Sequence, residues 1–215
     1  MEPEKNNAGY ALECPNCGKN ARLVEHLQEI PHFGKAIITT LACEKCSYKL
    51  NDVMIANARE PALYKAEVSG KKDLEAKVIR SSTGTIRIDR LGISIEPGPA
   101  AEGYITNIEG ILDRVESATK ALIGAPGTDE ADESKLARKE LERIKKARNG
   151  EIQFNVIIED PFGNSAMIGA KAMKMKLSPE EIKRLQAQID GLDSGKEEEK
   201  DIELPPMPEG SEAEE

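Results

Sequence analysis

The sequence has no tryptophan, four tyrosines and three phenylalanines, so aromatics make up only 3% of its 215 residues. Any core has to be assembled from isoleucine, leucine, valine and alanine. Little aromatic surface is left on which single-stranded bases would stack. Histidine is nearly as scarce, with only His26 and His32. That argues against a cupin-like enzyme, whose catalytic metal needs a His-rich inner cluster. No apolar run approaches the roughly 18 residues that cross a bilayer. The N-terminal MEPEKNNAGY lacks the basic and apolar regions of a secretory signal. A cytoplasmic location, with no membrane contact, is expected. No G-x-S-x-G and no phosphate-cradling glycine loop is present, so an enzyme is not expected.

What is there begins with charge. The net charge of −9 is concentrated at the C-terminus, where residues 196–215 carry nine acids and two bases. The rest of the chain is close to neutral at −2. Nucleic-acid binding relies on neutralising phosphates, so the folded part is a poor candidate for it and the tail repels it. An acidic, proline-bearing segment of this kind is expected to be disordered. It would add weak, salt-sensitive contact with a basic partner.

All four cysteines fall in two C-x-x-C pairs, Cys14/Cys17 and Cys43/Cys46, separated by 25 residues. Two such pairs suit the tetrahedral all-thiolate site of structural zinc, because a two-residue gap lets one tight turn present two sulfurs to one ion. One Zn(2+) per chain is expected. The rivals are two disulfides, a thioredoxin-like redox pair and rubredoxin-like iron; a reducing compartment argues against the first. Four protein ligands leave no open position for catalysis. Each turn wants a residue tolerant of positive φ. Gly18 supplies one after the first pair, while Ser47 stands at the matching place and predicts a mildly strained second turn. Lys19, Arg22, Lys45 and Lys49 flank the pairs and would offset thiolate charge. His26 and His32 lie between them and are read as surface or packing residues, since the site is already filled. Residues 35–42 are β-branched and apolar, a strand running into the second cysteine turn. A strand pair closed by metal at one end is a zinc ribbon, placed at 10–56.

Residues 63–105 alternate apolar and polar positions over short lengths, as β-strands do. The pattern then turns helical. Ile108, Ile111, Leu112, Val115 and Leu122 recur at helix spacing, with Thr106-x-x-Glu109 as a capping box and Gly124 at the end. A second helix is expected over about 133–148, with Ala137, Leu141 and Ile144 on one face and Asn149-Gly150 ending it. Then Ile152, Phe154, Val156 and Ile158 alternate as a strand. Asp160-Pro161-Phe162-Gly163 is a turn, and residues 165–168 are read as the return strand. Ser178-Pro179-Glu180-Glu181 opens a last helix with a serine cap, proline at the first position and glutamate at the third. The organisation is therefore mainly β with an α insertion. It runs from an N-terminus at 1–9 expected to be disordered, through the ribbon, to a β-domain at 57–176 with a helical hairpin at about 106–149. A C-terminal helix at 177–192 and the acidic tail at 193–215 complete it.

CPNCG, IPHFGKAIITTLACEKCSYKLNDV, TNIEGIL and IIEDPFGNS occur in that order. Together they resemble the ZPR zinc-finger protein family, in the single-domain form found in archaea, over about two thirds of the chain from Cys14 to Ser165. The resemblance implies a four-cysteine zinc ribbon followed by a double-stranded β-helix bearing a helical hairpin. It implies a protein-interaction function, because eukaryotic relatives bind translation elongation factor one-alpha and receptor-kinase cytoplasmic regions. The first partner is the one carried over, and a nucleic-acid-binding ribbon is the alternative. Ile30, Pro31 and Phe33, Glu109 and Gly110, and Asp160 and Asn164 are the candidate partner contacts. Each has an ordinary structural reading beside it: a wedge between finger and β-domain, a helix start, and a turn. The sequence departs from the family pattern at His32, Ser47, Ala76 and Asp89-Arg90-Leu91.

Overall fold

The computed structural model describes residues 9–56, 60–98, 100–123 and 132–193. The expectations for residues 1–8, for Gly124 and the loop after it, and for the tail from 194 onward lie outside the described residues.

Four antiparallel strands make the first sheet, in chain order: β1 (Gly9–Glu13), β2 (Asn20–Ile30), β3 (Gly34–Ala42) and β4 (Lys49–Ile55). The expected strand pair is thus half of a larger sheet. Its longest hairpin, β2–β3, turns over at Pro31-His32-Phe33, with Ile30 paired to Gly34. The Phe33 N–H donates to the Ile30 carbonyl (3.0 Å). Proline at the second turn position and a left-handed residue at the third, His32 with φ 74°, is type II turn chemistry.

The remaining strands are β5 (Ala62–Val68), β6 (Lys77–Arg80), β7 (Thr85–Ile88), β8 (Ile93–Ile95), β9 (Tyr104–Asn107), β10 (Phe154–Asp160), β11 (Ala166–Ile168) and β12 (Ala172–Lys176). They form a five-stranded sheet, ordered β12-β5-β10-β7-β8, and a three-stranded sheet, β11-β6-β9. Phe154, Val156 and Ile158 alternate inward from β10, as period two requires, while Ile152 lies just before the strand. One continuous core joins Ile79 of β6, Ile86 and Ile88 of β7, and the inward residues of β10 with Ala36 and Val53 of the first sheet. Phe154 is the one phenylalanine fully inside, among mostly aliphatic neighbours.

The segment after the Asp160 turn does not fold back on β10. β11 pairs with β6 in the other sheet, because Ser165 Oγ accepts the Ser81 N–H (3.0 Å) and the Asn164 carbonyl accepts the Ile55 N–H (3.2 Å). A turn signal shows where a chain reverses but not which strand it then meets.

Helices α1 (Ile108–Ile123) and α2 (Asp132–Arg148) pack against each other as the expected hairpin. Ile108, Ile111 and Leu112 of α1 are fully buried, as are Ile144 and Ala147 of α2. The cap of α1 differs from expectation: Asn107 Oδ1, not Thr106, accepts the Gly110 N–H (2.8 Å). Thr106 is the penultimate residue of β9, so Asn107 is the first that can leave strand geometry to cap. α2 ends in a Schellman motif. Gly150 N–H donates to Ala147 (3.0 Å), Glu151 N–H donates to Lys146 (2.9 Å), and Gly150 is at φ 82°. α3 (Pro179–Asp193) opens with the expected box: Glu181 N–H to Ser178 Oγ (3.2 Å), and Ser178 N–H to Glu181 Oε2 (2.8 Å). No helix among the described residues is long and apolar enough to cross a membrane.

Candidate metal centre and partner cleft

The two C-x-x-C turns sit at one end of the first sheet, between β1 and β2 and between β3 and β4. Register makes them meet: Glu13 pairs with Asn20, and Ala42 with Lys49, so both connecting loops leave the same edge. In the first loop the Cys14 N–H donates to the Lys19 carbonyl (2.7 Å); in the second the Cys43 N–H donates to Tyr48 (2.9 Å). The two turns therefore have the same construction. Gly18 takes φ 66° and Ser47 takes φ 58°, so the serine is held in the left-handed region that glycine adopts without cost.

The four sulfurs lie within 4.8 Å of one another. Cys14 Sγ and Cys46 Sγ are 3.6 Å apart, and Cys17 Sγ and Cys43 Sγ are 3.7 Å apart. A disulfide needs about 2.05 Å, whereas four sulfurs about 2.3 Å from one tetrahedral ion stand about 3.8 Å from each other. Among the rival readings, the geometry fits the metal site. Backbone donors reinforce it, since the Lys19 N–H reaches Cys17 and the Tyr48 N–H reaches Cys46. The Asn16 side chain, ahead of that N–H, draws the Cys46 thiol down to about 6. Cys17 feels the lowering pull of Lys19, yet Cys46, burial and the other two sulfurs push it up to about 12. Crowded sulfurs cannot all ionise without a cation, and a divalent ion supplies that charge. Cys14 and Cys43 are buried with Ala21, and Leu41 and Tyr48 pack around them. Asn16 lies inside CPNCG, but its role beside Cys46 was not read from the sequence. His26 and His32 are exposed and take no part.

The candidate partner contacts separate into two groups. Ile30 and Phe33 pack against the main core, so the tip of the β2–β3 hairpin does wedge finger against β-domain. The same tip also forms one wall of an open cleft of about 490 Å³, lined by Ile30, Pro31, Phe33, Glu75, Lys77 and β9 at Ile105–Asn107. Glu109, exposed, and Gly110 follow directly at the start of α1. A Cβ on Gly110 would come within 2.2 Å of Thr106 Oγ1, so the glycine is required for the helix to leave the strand so closely.

Asp160 and Asn164 stand apart from that cleft. Asp160 is fully buried. Its carboxylate accepts from Ser81 Oγ (2.8 Å), Ser165 Oγ (2.6 Å), Thr83 Oγ1 (3.1 Å) and the Phe162 N–H (2.9 Å). Beside it, buried Arg80 donates to the carbonyls of Gly84, Glu102 and Glu96. Asp52 of β4 accepts from Ser82 N–H (2.8 Å) and Oγ (2.6 Å), tying the first sheet to the loop after β6. Reading the sequence missed Arg80, which sits in no motif, and Asp52, which lies inside the KLNDV stretch but was not singled out. At Asp89-Arg90-Leu91, Arg143 of α2 donates to the backbone carbonyls of Arg90 and Leu91, which fixes the hairpin to the β7–β8 turn whatever side chains stand there.

A four-thiolate finger fused to a β-sandwich with a helical hairpin defines a zinc-finger protein of one particular architecture. Residues 10–61 match the ZPR1 zinc-finger domain, and residues 72–194 match the ZPR1 jelly-roll domain. A jelly roll is the double-stranded β-helix arrangement under another name. The chain is 41% identical to a ZPR1-like protein of Pyrococcus horikoshii over 86% of this chain and 84% of the other. It is 40% identical to a ZPR1-like protein of Methanocaldococcus jannaschii over 83% and 90%. It is 30% identical to the zinc finger chaperone zpr1 of Schizosaccharomyces pombe over 77% of this chain, which spans 36% of that longer protein. The chain belongs to the ZPR1 family, and its four cysteines are positioned to hold one zinc ion.

Proposed function

We propose that this chain is a non-enzymatic, zinc-stabilised binding protein of the cytoplasm that binds and chaperones translation elongation factor one-alpha. The observation that carries the reading is the convergence of the Ile30-Pro31-Phe33 tip and the β9–α1 junction on one open cleft. Both stretches belong to the ordered motifs of the family, and they lie far apart in sequence. The cleft is apolar at Ile30, Phe33 and Ile105, with Glu75 and Lys77 at its polar side, which is the composition of a protein-docking site. A family relative named as a chaperone supports a protein partner. Zinc acts here through structure: it holds the base of the hairpin whose tip forms the cleft wall.

The test is a titration of the zinc-loaded chain against elongation factor one-alpha of the same organism, with GDP, with a GTP analogue and without nucleotide. Binding that is lost on chelation and weakened about tenfold by Glu109→Lys, about 1.4 kcal/mol, is expected. No binding in any nucleotide state overturns the assignment of this partner.

A further inference from the structure

Alternate residues of a strand point to opposite faces, so the first sheet has two. The inner face is covered at β3 and β4, where Ala36, Val53 and Ile55 are buried in the main core. The outer face is half-open: Tyr10, Glu25 and Leu27 are exposed, Leu23, Ile37, Leu41, Leu50 and Met54 are half-buried, and Ser82 reaches Asp52 at the β4 edge. Register sorts it into rows. Tyr10, Leu23, Leu41 and Leu50 lie side by side across all four strands. Two residues along comes a polar row, Glu25, Thr39 and Asp52. Two further on is a second apolar row, Leu27, Ile37 and Met54. Tyr10 is 54% exposed and Leu27 61%. A monomer seldom shows water an ordered apolar surface of this kind without a use for it.

The row between them specifies the occupant. Asp52 is turned to the sheet edge and engaged by Ser82, which leaves exposed Glu25 as the carboxylate of the centre. Thr39 Oγ1 beside it is buried with no hydrogen-bond partner. Covering this face with an apolar surface alone would strand the Glu25 charge away from water. A second copy would set Glu25 close to its own equivalent, and the acidic tail brings more negative charge still. The apolar rows are four residues apart, about 13 Å at roughly 3.3 Å per residue. In an α-helix, positions i and i+8 share a face and are about 12 Å apart at 1.5 Å rise, with i+4 midway.

We propose that this outer face docks an amphipathic helix of another protein, with apolar anchors at i and i+8 and an arginine or lysine at i+4 that meets Glu25. The Tyr10–Leu50 row adjoins the metal centre, because Leu41 packs on the cysteine cluster. Docking therefore requires zinc. The inference is independent of the cleft and of the partner assigned to it.

The probe is a labelled alanine-based helical peptide of about 15 residues with Leu, Arg and Leu at i, i+4 and i+8, titrated against the full-length zinc-loaded chain. Replacing the peptide arginine by glutamate, or both leucines by alanine, is expected to weaken binding at least tenfold. Leu27→Ser, at an exposed position that leaves folding intact, is expected to do the same. Glu25→Lys should reverse the preference, so that the glutamate peptide binds better than the arginine peptide. That swap also separates the face from attraction to the acidic tail, which every variant retains. Amide shifts on binding should fall on β1–β4 and not on the β9–α1 junction. The proposal is overturned by no binding, by equal affinity for the arginine and glutamate peptides, or by Leu27→Ser and Glu25→Lys having no effect.

Discussion

Ser165 Oγ donates to Asp160 Oδ2 over 2.6 Å in a fully buried setting. The bond joins the two ends of the D-P-x-G-N-S motif to each other, and Ser81 Oγ joins the same oxygen from the other sheet. Asp160→Ala would leave three hydroxyls and one N–H without their acceptor inside the protein. We expect it to lower stability by about 3 kcal/mol, since each stranded buried donor costs about 1–3 kcal/mol and relaxation recovers part. Ser165→Ala should cost about half as much. Urea unfolding midpoints check both. An Asp160→Ala variant of unchanged stability would reopen Asp160 as a residue kept for a partner.

Gly110 is where strand β9 becomes helix α1 within a few residues. Gly110→Ala places a methyl 2.2 Å from Thr106 Oγ1 and is expected to destabilise by about 1–3 kcal/mol, as overpacking does. Thr106→Ala removes the obstructing atom, so the double variant should recover most of the loss. A double-mutant cycle in thermal unfolding measures this coupling directly. Additive effects would show that Gly110 is not there for close approach.

Ser47 occupies a left-handed position that Gly18 occupies in the matching turn. Left-handed geometry costs a residue with a Cβ about 1–2 kcal/mol, and glycine gives part of that back through its freer unfolded chain. Ser47→Gly is therefore expected to stabilise the finger by about 0.5–1 kcal/mol. The readout is slower zinc loss to a chromogenic chelator, with a raised Tm. Faster loss would mean that the serine hydroxyl contributes more than the backbone strain costs.

Asp73 is held below its ordinary pKa, first by the Lys171 ammonium at 2.8 Å and then by the Ser69 N–H. A folded-state value below the unfolded one binds fewer protons in the native state. Its stabilisation is thus fully present above the unfolded value of about 3.9 and is lost as pH falls through the lower folded value. Lys171→Met should flatten the acid limb of the stability curve below about pH 4 and leave its salt dependence weaker. An unchanged acid limb would show that the pair contributes nothing in solution.

Much of the fold was legible because its signals are local. Two C-x-x-C turns, a helix pattern at Ile108, Ile111 and Leu112, and the Ser178–Glu181 box each depend on residues within one or two turns of each other. The Asn107 cap was misread by one position, since the strand preceding it takes Thr106. Strand β12, AMKMK, was missed: it is an exposed edge strand with no burial pattern to mark it. The strand after the Asp160 turn was found but its neighbour was not legible, because pairing with β6 rests on Ser81 meeting Ser165 across 84 positions.

The two candidate ligand pairs, Cys14/Cys17 and Cys43/Cys46, were legible in sequence alone, since spacing within each pair is a covalent property of the chain, whereas their meeting rests on strand register. That the Ile30-Pro31-Phe33 tip meets the β9–α1 junction was decided only by tertiary structure. So was the burial of Asp160, and so were the rows of half-exposed apolar side chains on the outer face of β1–β4. Those relations depend on strand register, and register is set by which buried surfaces fit together over the whole molecule.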